Sequence, residues 1–215
     1  KMGNFIRYAE KRLRDLKVDV RLNTEASAEA VKAMEPYAVF VCTGSAPILP
    51  AGIKGIDGCN VYTVPEILTE KVQLSGKKVV VAGGGLTGME TAEFLQEKGN
   101  EVTNIDMLSA MGAGAFQLLL MDEQALIAQH GVRVMPGHKL VEISENCVLL
   151  EDTAGYRLEL PCDAVVMSLG VKSVNALAGE LAGLDNVFVI GEAQTAGQRV
   201  PQAVHPAFEA AWNLK

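Results

Sequence analysis

Apolar residues recur along the chain with two different spacings, one typical of strands and one typical of helices. Almost continuous apolar runs predict strands that are covered on both faces. Such runs predict strands over 37–42, 77–82 and 187–190, and 18–22 and 101–105 are predicted as further strands. Apolar residues spaced three or four apart predict helices over 4–17, 86–98, 116–130 and 201–214, with a short helix beginning near Pro65. Helices that alternate with buried strands predict an α/β fold with a parallel sheet.

This alternation stops after residue 130. Three short predicted strands, 140–143, 147–151 and 156–160, are separated by turn residues, and a fourth follows at 164–168. Consecutive short strands predict a β-meander, whereas a simple doubly wound dehydrogenase would have another crossover helix here. The segment 47–58 is rich in Pro and Gly, which predicts a linker.

Charge and composition narrow the class of protein. The 215 residues are 49% hydrophobic and carry 19 basic against 26 acidic side chains, a net charge of −7. A globular core is therefore expected, and binding to nucleic acid or to an anionic membrane surface is not. The longest uncharged stretch, 36–53, is interrupted by three prolines, so no transmembrane helix is predicted. We expect a cytoplasmic protein and, because the chain starts without Met, a piece of a longer one.

No catalytic side chain or metal site is predicted from the spacing of reactive residues. The cysteines form no Cys-x-x-Cys pair and no zinc-like arrangement, so reduced thiols are expected. No histidine lies beside a suitable carboxylate pair, and no tyrosine is followed by a lysine four residues later. The residues considered are Cys42, Cys59, Cys147, Cys162, His130, His138 and His205.

The segment 83–90 carries the most informative motif, a Gly-x-Gly-x-x-Gly between a predicted strand and a predicted helix. Gly83 permits a tight turn, Gly85 lets the backbone approach a pyrophosphate, and Gly88 allows close packing of helix on strand. The helix N-terminus offers free N–H groups to the phosphates. A tight turn that binds nothing is the alternative. The residues predicted to hold the pyrophosphate are Gly83, Gly84, Gly85, Leu86, Thr87 and Gly88.

Two carboxylates follow this motif. Asp106 ends the next predicted strand, where it can accept hydrogen bonds from an adenosine ribose and repel a 2′-phosphate. Neither Arg nor Lys occurs between Asp106 and Arg133, so NAD(H) is predicted in preference to NADP(H); a strand-end turn residue is the alternative. Glu90 lies on the first turns of the helix, either as a cofactor contact or as a carboxylate favoured by the helix dipole.

Several motifs occur together in one order. They are Cys-Thr-Gly-Ser-Ala-Pro at 42–47, the glycine-rich segment at 83–90, Asp-Ala-Val-Val at 163–166 with Gly170 and Asn175, and Val-Phe-Val-Ile-Gly-Glu at 187–192. Over nearly the whole chain this set resembles two-dinucleotide-binding flavoproteins of the glutathione reductase type. Within that group it is similar to the C-terminal region of NADH:flavin oxidoreductases of the 2,4-dienoyl-CoA reductase and trimethylamine dehydrogenase type.

The resemblance implies a fold and further site residues. The fold is a Rossmann-like NAD-binding domain with a β-meander, residues 62–175, inserted in an incomplete FAD-type α/β domain, residues 1–61 and 176–215. Gly170 would line the nicotinamide end. The FAD-side turns would be Thr43-Gly44 and Gly191-Glu192, with Glu192 where the family normally carries Asp. The family's first glycine motif, which holds the FAD pyrophosphate, has no counterpart before Gly83.

The resemblance also implies an activity for the intact protein. NADH would pass hydride to FAD, and a preceding flavin barrel with FMN and an iron–sulfur cluster would reduce an enoate or dienoyl-CoA-like substrate. The chain by itself would be inactive on that substrate, and the missing barrel would be its main partner. A non-catalytic ADP-type nucleotide-binding module remains the alternative, and homo-oligomer formation stays open.

Overall fold

The computed structural model describes residues 2–214 in two compact units. One unit consists of residues 2–41 and 176–188, and the other consists of residues 42–175 and 189–214. The division predicted from the sequence, 1–61, 62–175 and 176–215, stays a prediction, and its end residues Lys1 and Lys215 lie outside the described residues.

The structure assigns the following helices and strands in chain order. The helices are α1 (Met2–Asp15), α2 (Ala28–Lys32), α3 (Val64–Leu68), α4 (Leu86–Glu97), α5 (Gln117–His130), α6 (Ala176–Glu180) and α7 (Val200–Trp212). The strands are β1 (Val39–Val41), β2 (Ser45–Pro47), β3 (Val61–Thr63), β4 (Lys78–Ala82), β5 (Glu101–Asp106), β6 (Arg133–Pro136), β7 (His138–Ile143), β8 (Cys147–Asp152), β9 (Arg157–Pro161), β10 (Ala164–Met167), β11 (Val171–Ser173) and β12 (Val187–Val189).

The larger unit is built around a five-stranded parallel sheet with the order β3-β10-β4-β5-β6. Alternate residues of β4 face opposite sides of this sheet, so Val79 and Val81 pack with the helices α4 and α5. On the other side, Val80 packs with the buried residues Leu140 and Val148 of β7 and β8. The continuous apolar run of β4 is thus explained by burial on both faces.

The predicted meander is present as the antiparallel sheet β7-β8-β9. It covers the face of the parallel sheet opposite α4 and α5, where a doubly wound fold would place helices. The α/β, Rossmann-like fold expected from the sequence is therefore confirmed.

Several predicted elements differ from the structure. The strand predicted over 18–22 is wrong, because these residues pair with no other strand and Val18, Val20 and Leu22 are exposed. The short strands β3 and β6 were not predicted, since three or four residues carry too little periodicity. The helices α1 and α7 form as predicted, but the apolar side chains of Phe5 and Trp212 are exposed. The helical spacing of apolar residues predicts that a helix forms, but it does not predict which part of the protein packs against that helix.

In the described part of the chain, no helix combines the length and the apolar character that crossing a bilayer requires. The four cysteines are free thiols, as expected.

We predict that the cysteines differ sharply in reactivity. Cys162 is buried, and burial together with the charges of Cys147 and Asp163 raises the pKa of its thiol to about 11. At pH 8 only about one thousandth of it would be thiolate, the nucleophilic form. Cys59 is exposed. Alkylation with N-ethylmaleimide followed by peptide mass spectrometry should modify Cys59 in the native chain and Cys162 only in urea; equal native labelling would contradict this.

A second prediction concerns Glu123 on α5, which is only 7% exposed. Its Oε1 atom is buried without a hydrogen-bond partner. Burial and the charges of Glu93, Glu90 and Asp122 raise the pKa of Glu123 to about 7. Because this pKa lies above the ordinary value of 4.5, Glu123 contributes most to the free energy of unfolding below pH 4.5. This contribution should be lost as the pH rises to about 7.

Glu123→Gln is therefore expected to raise the free energy of unfolding by about 1–3 kcal/mol at pH 8 and by much less at pH 5. Urea unfolding in EDTA at both pH values measures the difference. The exposed Glu159→Gln serves as the control and should change stability little at either pH. An equal effect of Glu123→Gln at pH 5 and pH 8 would argue against the assigned cause.

Candidate functional site

The glycine-rich segment forms the turn between β4 and α4. Gly83 has φ +117°, a backbone conformation that side chains disfavour, and a Cβ there would lie 2.1 Å from the carbonyl oxygen of Ser168. The Gly83 N–H donates to the Ile105 carbonyl at 2.9 Å, which ties the turn to β5. Packing and backbone geometry both require glycine at this position.

The other glycines of the motif fall into two kinds. A Cβ on Gly88 would lie 2.0 Å from the Gly83 carbonyl oxygen, so glycine allows α4 to pack against the turn. A Cβ on Gly84 would approach the Met111 side chain to 2.6 Å. Gly85, the N-cap of α4, is exposed and has no other group within 4 Å of a built Cβ. The protein's own packing thus explains three of the glycines, while Gly85 faces open space.

This open space lies at the N-terminus of α4. The 12-residue helix α4 begins at Leu86, which is half-buried, and the next residue, Thr87, is exposed. The first N–H groups of a helix have no partner within the helix, and the helix dipole favours negative charge there. The local geometry therefore fits a pyrophosphate, as the motif predicts.

Asp106 connects the end of β5 to the same turn. Its Oδ2 accepts a hydrogen bond from the Gly84 N–H at 2.6 Å, and its Oδ1 accepts one from the Leu108 N–H at 2.8 Å. These two bonds hold the carboxylate in a defined orientation. Each oxygen retains lone-pair capacity for a hydroxyl donor, so the arrangement fits a ribose diol beside the turn.

A cavity of about 500 Å³ adjoins Gly83 and Asp106. Apolar side chains, including Ile53 and Leu140, line it together with His138 from β7. This volume falls within the usual range of small-molecule pockets, about 300–1,000 Å³. A largely apolar cavity beside the Asp106 carboxylate fits the adenosine end of a dinucleotide, and the ribose role of Asp106 stays a prediction.

Asn104 was not predicted from the sequence as a site residue. It lies on β5 and supports the glycine-rich turn from this neighbouring strand. Its buried side-chain amide donates to the carbonyl oxygens of Val81 and Gly83, at 2.9 Å in both cases. The bonds hold the last residues of β4 in the position from which the turn starts. An asparagine in the middle of the apolar strand 102–105 is the sequence feature that could have indicated this role.

Glu90 lies on α4 away from the first helical turn's free N–H groups. Partial burial and the charge of Glu93 raise the pKa of Glu90. The dipole at a helix N-terminus would act in the opposite direction and lower this pKa. Its role as a cofactor contact stays a prediction.

The structure brings together the two turns assigned to the FAD side. The Thr43 hydroxyl donates to the Val174 carbonyl oxygen, and the Gly44 carbonyl accepts from the Val174 N–H at 3.0 Å. Glu192 accepts hydrogen bonds from the Ser45 hydroxyl at 2.6 Å and from the Gly197 N–H at 3.1 Å. The Ser45–Glu192 bond therefore links the segment after Thr43-Gly44 to the other turn.

Gly191 and Gly170 both adopt left-handed backbone conformations, with φ +63° and φ +87°. Gly191 is buried, and a Cβ on it would lie 3.1 Å from the Ala203 Cβ. Gly170 is exposed, accepts a hydrogen bond from the Ile48 N–H at 3.0 Å, and lies two residues after Ser168, whose carbonyl faces Gly83. The nicotinamide role of Gly170 and the FAD roles of these turns stay predictions.

Comparison with known proteins finds one matching family and several similar proteins. The model of the pyridine nucleotide-disulphide oxidoreductase family matches residues 18–211. A NADH oxidase of Thermoanaerobacter brockii is 34% identical over 203 residues, which are 92% of this chain and 31% of the relative. A cinnamate reductase of Clostridium sporogenes is 31% identical over 216 residues, 97% of this chain and 31% of the relative.

Among solved structures, a 2-naphthoyl-CoA reductase superposes with a TM-score of 0.88 at 28% identity, covering 97% of this chain and 31% of that protein. The chain thus spans about a third of the length of these relatives. The family model covers most of the chain, and the parallel sheet with its glycine turn agrees with it. The chain therefore belongs to the pyridine nucleotide-disulphide oxidoreductase family, whose domain binds FAD and NAD(P).

Proposed function

We propose that this chain is the NADH-binding part of a flavin-dependent oxidoreductase. The observation that carries the proposal is the environment of Gly85. Its neighbours Gly83, Gly84 and Gly88 are closely packed, whereas Gly85 opens to solvent at the N-terminus of α4. A turn that served packing alone would have no reason to keep a glycine at an open position with φ −68°, which any residue can adopt.

We further propose that the site selects NADH over NADPH. The Asp106 carboxylate is held by the N–H groups of Gly84 and Leu108 and can accept hydrogen bonds from the ribose hydroxyls. A 2′-phosphate at the same place would meet a fixed negative charge. Arg157 lines the same cavity as Asp106 and could offset that charge, but its Nε pairs with the Glu151 Oε2 at 3.2 Å.

In the intact protein, bound NADH would supply hydride to FAD. The chain's own residues bind and orient the nucleotide: the turn 83–88 holds the phosphates, Asp106 the ribose, and Gly170 leaves room at the nicotinamide end. The turns Thr43-Gly44 and Gly191-Glu192 would contribute to the FAD side. No acid or base of this chain is needed, because hydride transfer between the two cofactors requires only their placement.

The substrate, in this proposal, is an unsaturated compound such as an enoate or an aromatic or dienoyl-CoA ester. Support comes from relatives named cinnamate reductase and 2-naphthoyl-CoA reductase, of which this chain matches about a third. We propose that the chain works with a flavin barrel carrying FMN and an iron–sulfur cluster, and that it does not reduce the substrate by itself. Its partners would be small-molecule cofactors and not nucleic acid or membrane, and its location cytoplasmic.

The test is a fluorescence titration of the chain with NADH, NADPH and ADP. Saturable NADH binding, weaker NADPH binding and NADH-dependent reduction of added flavin would support the proposal. Tight ADP binding with no preference for NADH and no flavin reduction would favour the non-catalytic nucleotide-binding module instead. A folded chain that binds none of the three nucleotides would contradict both functions.

A further inference from the structure

The facing surfaces of α4 and α5 bring together residues that lie far apart in the sequence. Glu93 and Glu97 are one helical turn apart on α4, so they share a face. His130 is the last residue of α5. Its Nδ1 lies 3.2 Å from the Glu93 Oε1, and its Nε2 lies 3.8 Å from the Glu97 Oε1. The three side chains can offer ligand atoms that all lie within 4.8 Å of one another.

The contact between His130 and Glu93 is not an ordinary hydrogen bond. The Nδ1 atom is buried and has no hydrogen-bond partner, although the Glu93 carboxylate is only 3.2 Å away. Two ligand atoms of a tetrahedral zinc ion, each about 2.0–2.1 Å from the metal, lie about 3.3 Å apart. The spacing of these two atoms therefore matches a pair of metal ligands.

Glu123 provides a second and independent observation. Glu123 is only 7% exposed, and its Oε1 is buried and makes no hydrogen bond. Glu123 lies seven residues before His130 on α5, so the two side chains share the helix face on which the cluster forms. A buried carboxylate without a partner is costly. A cation bound at this position would remove that cost.

The cluster also has too little positive charge of its own. Glu90, Glu93, Glu97 and Glu123 contribute four carboxyl groups, and in the described part of the chain His130 is the only basic side chain within ion-pair distance of any of them. Lys98 directly follows Glu97, the last residue of α4, but its Nζ pairs with the Glu70 Oε1 at 2.8 Å instead. The negative charge of these carboxyl groups is therefore largely unbalanced, which favours the binding of a cation.

We propose that Glu93, Glu97 and His130 bind one divalent transition-metal ion, with Zn²⁺ as the expected species. One imidazole nitrogen and carboxylate oxygens form a ligand set that suits Zn²⁺ better than Mg²⁺ or Ca²⁺, which take oxygen ligands. Glu123 supplies compensating charge from the buried side. The ion would connect α5 to α4, the helix whose N-terminus carries the glycine-rich turn. This structural role does not depend on the proposed NADH function.

The test is isothermal titration calorimetry of the metal-stripped chain with ZnCl₂ alone. We expect one ion per chain and an increase of the unfolding temperature by several degrees at saturating Zn²⁺. His130→Ala and Glu93→Gln should each weaken binding at least tenfold. The matched control His205→Ala removes an exposed helical histidine of α7 and should leave the affinity unchanged.

Glu123→Gln separates metal binding from a merely structural role. Loss of its charge should weaken Zn²⁺ binding at least threefold and, in the same protein, make the metal-free chain more stable. The Co²⁺ form should lack a sulfur-to-cobalt absorption band, which would appear if thiols such as the exposed Cys42 and Cys59 bound the metal. Absence of stoichiometric Zn²⁺ binding, unchanged affinity in His130→Ala, or a sulfur-to-cobalt band would overturn the proposal.

Discussion

Gly83→Ala is expected to destabilise the chain by about 2–6 kcal/mol and to abolish NADH binding. The estimate combines about 1–3 kcal/mol for a side chain at φ +117° with a similar cost for forcing a Cβ to within 2.1 Å of the Ser168 carbonyl oxygen. That oxygen belongs to the backbone after β10 and cannot rotate away. Urea unfolding and NADH fluorescence titration measure the two effects.

Gly85→Ala is the matched control for this experiment. Its backbone, with φ −68°, accepts alanine, and no other group lies within 4 Å of the added Cβ. Stability should therefore stay within about 0.5 kcal/mol of the parent chain, while NADH affinity falls at least tenfold because the methyl group enters the phosphate position. Unchanged NADH affinity in Gly85→Ala would contradict the placement of the pyrophosphate.

Asp106→Ala should weaken NADH binding by about 10- to 100-fold. The loss corresponds to roughly 1.5–3 kcal/mol for hydrogen bonds from the ribose hydroxyls to a charged acceptor. NADPH affinity should fall less or should rise, because the variant no longer repels the 2′-phosphate. The ratio of the NADH and NADPH dissociation constants, measured by titration of the parent chain and of Asp106→Ala, reports this change of preference.

Asp163→Ala is the control for the structural part of this effect. Asp163 accepts a hydrogen bond from the Lys78 N–H at 2.7 Å, so it also binds backbone at a strand end, but at the end where the parallel strands begin. Both substitutions should lower stability by a similar amount, and only Asp106→Ala should impair NADH binding. Equal loss of NADH affinity in the two variants would reduce Asp106 to a structural residue.

Much of the local structure could be predicted from the sequence because it depends on nearby residues. The buried strand β4 follows from a continuous apolar run, and α5 ends where Gly131 adopts φ +75°. The turn 83–88 and the position of Asp106 follow from a motif in which Gly83 and Gly88 are required by the packing of the turn itself. The structure shows these requirements as contacts of Gly83 and Gly88 with backbone oxygens.

Other parts of the site depend on residues that are distant in the sequence. Asn104 supports Gly83 across two neighbouring strands, and the Ser45–Glu192 bond joins turns separated by nearly the whole larger unit. The cavity beside Asp106 is completed by the linker residue Ile53 and by the meander residue Leu140. No local pattern contains such pairings.

The sequence by itself determined the elements with strong periodicity, the glycine turn and the family resemblance, because these depend on short-range sterics and on the burial of apolar residues. Only the tertiary structure decided the sheet order β3-β10-β4-β5-β6, in which β10 crosses over to lie between β3 and β4. It also decided that Glu123 is buried and that His130 contacts Glu93 and Glu97. Packing of distant segments sets these contacts, and a linear pattern of apolar and polar residues does not encode the distance between them.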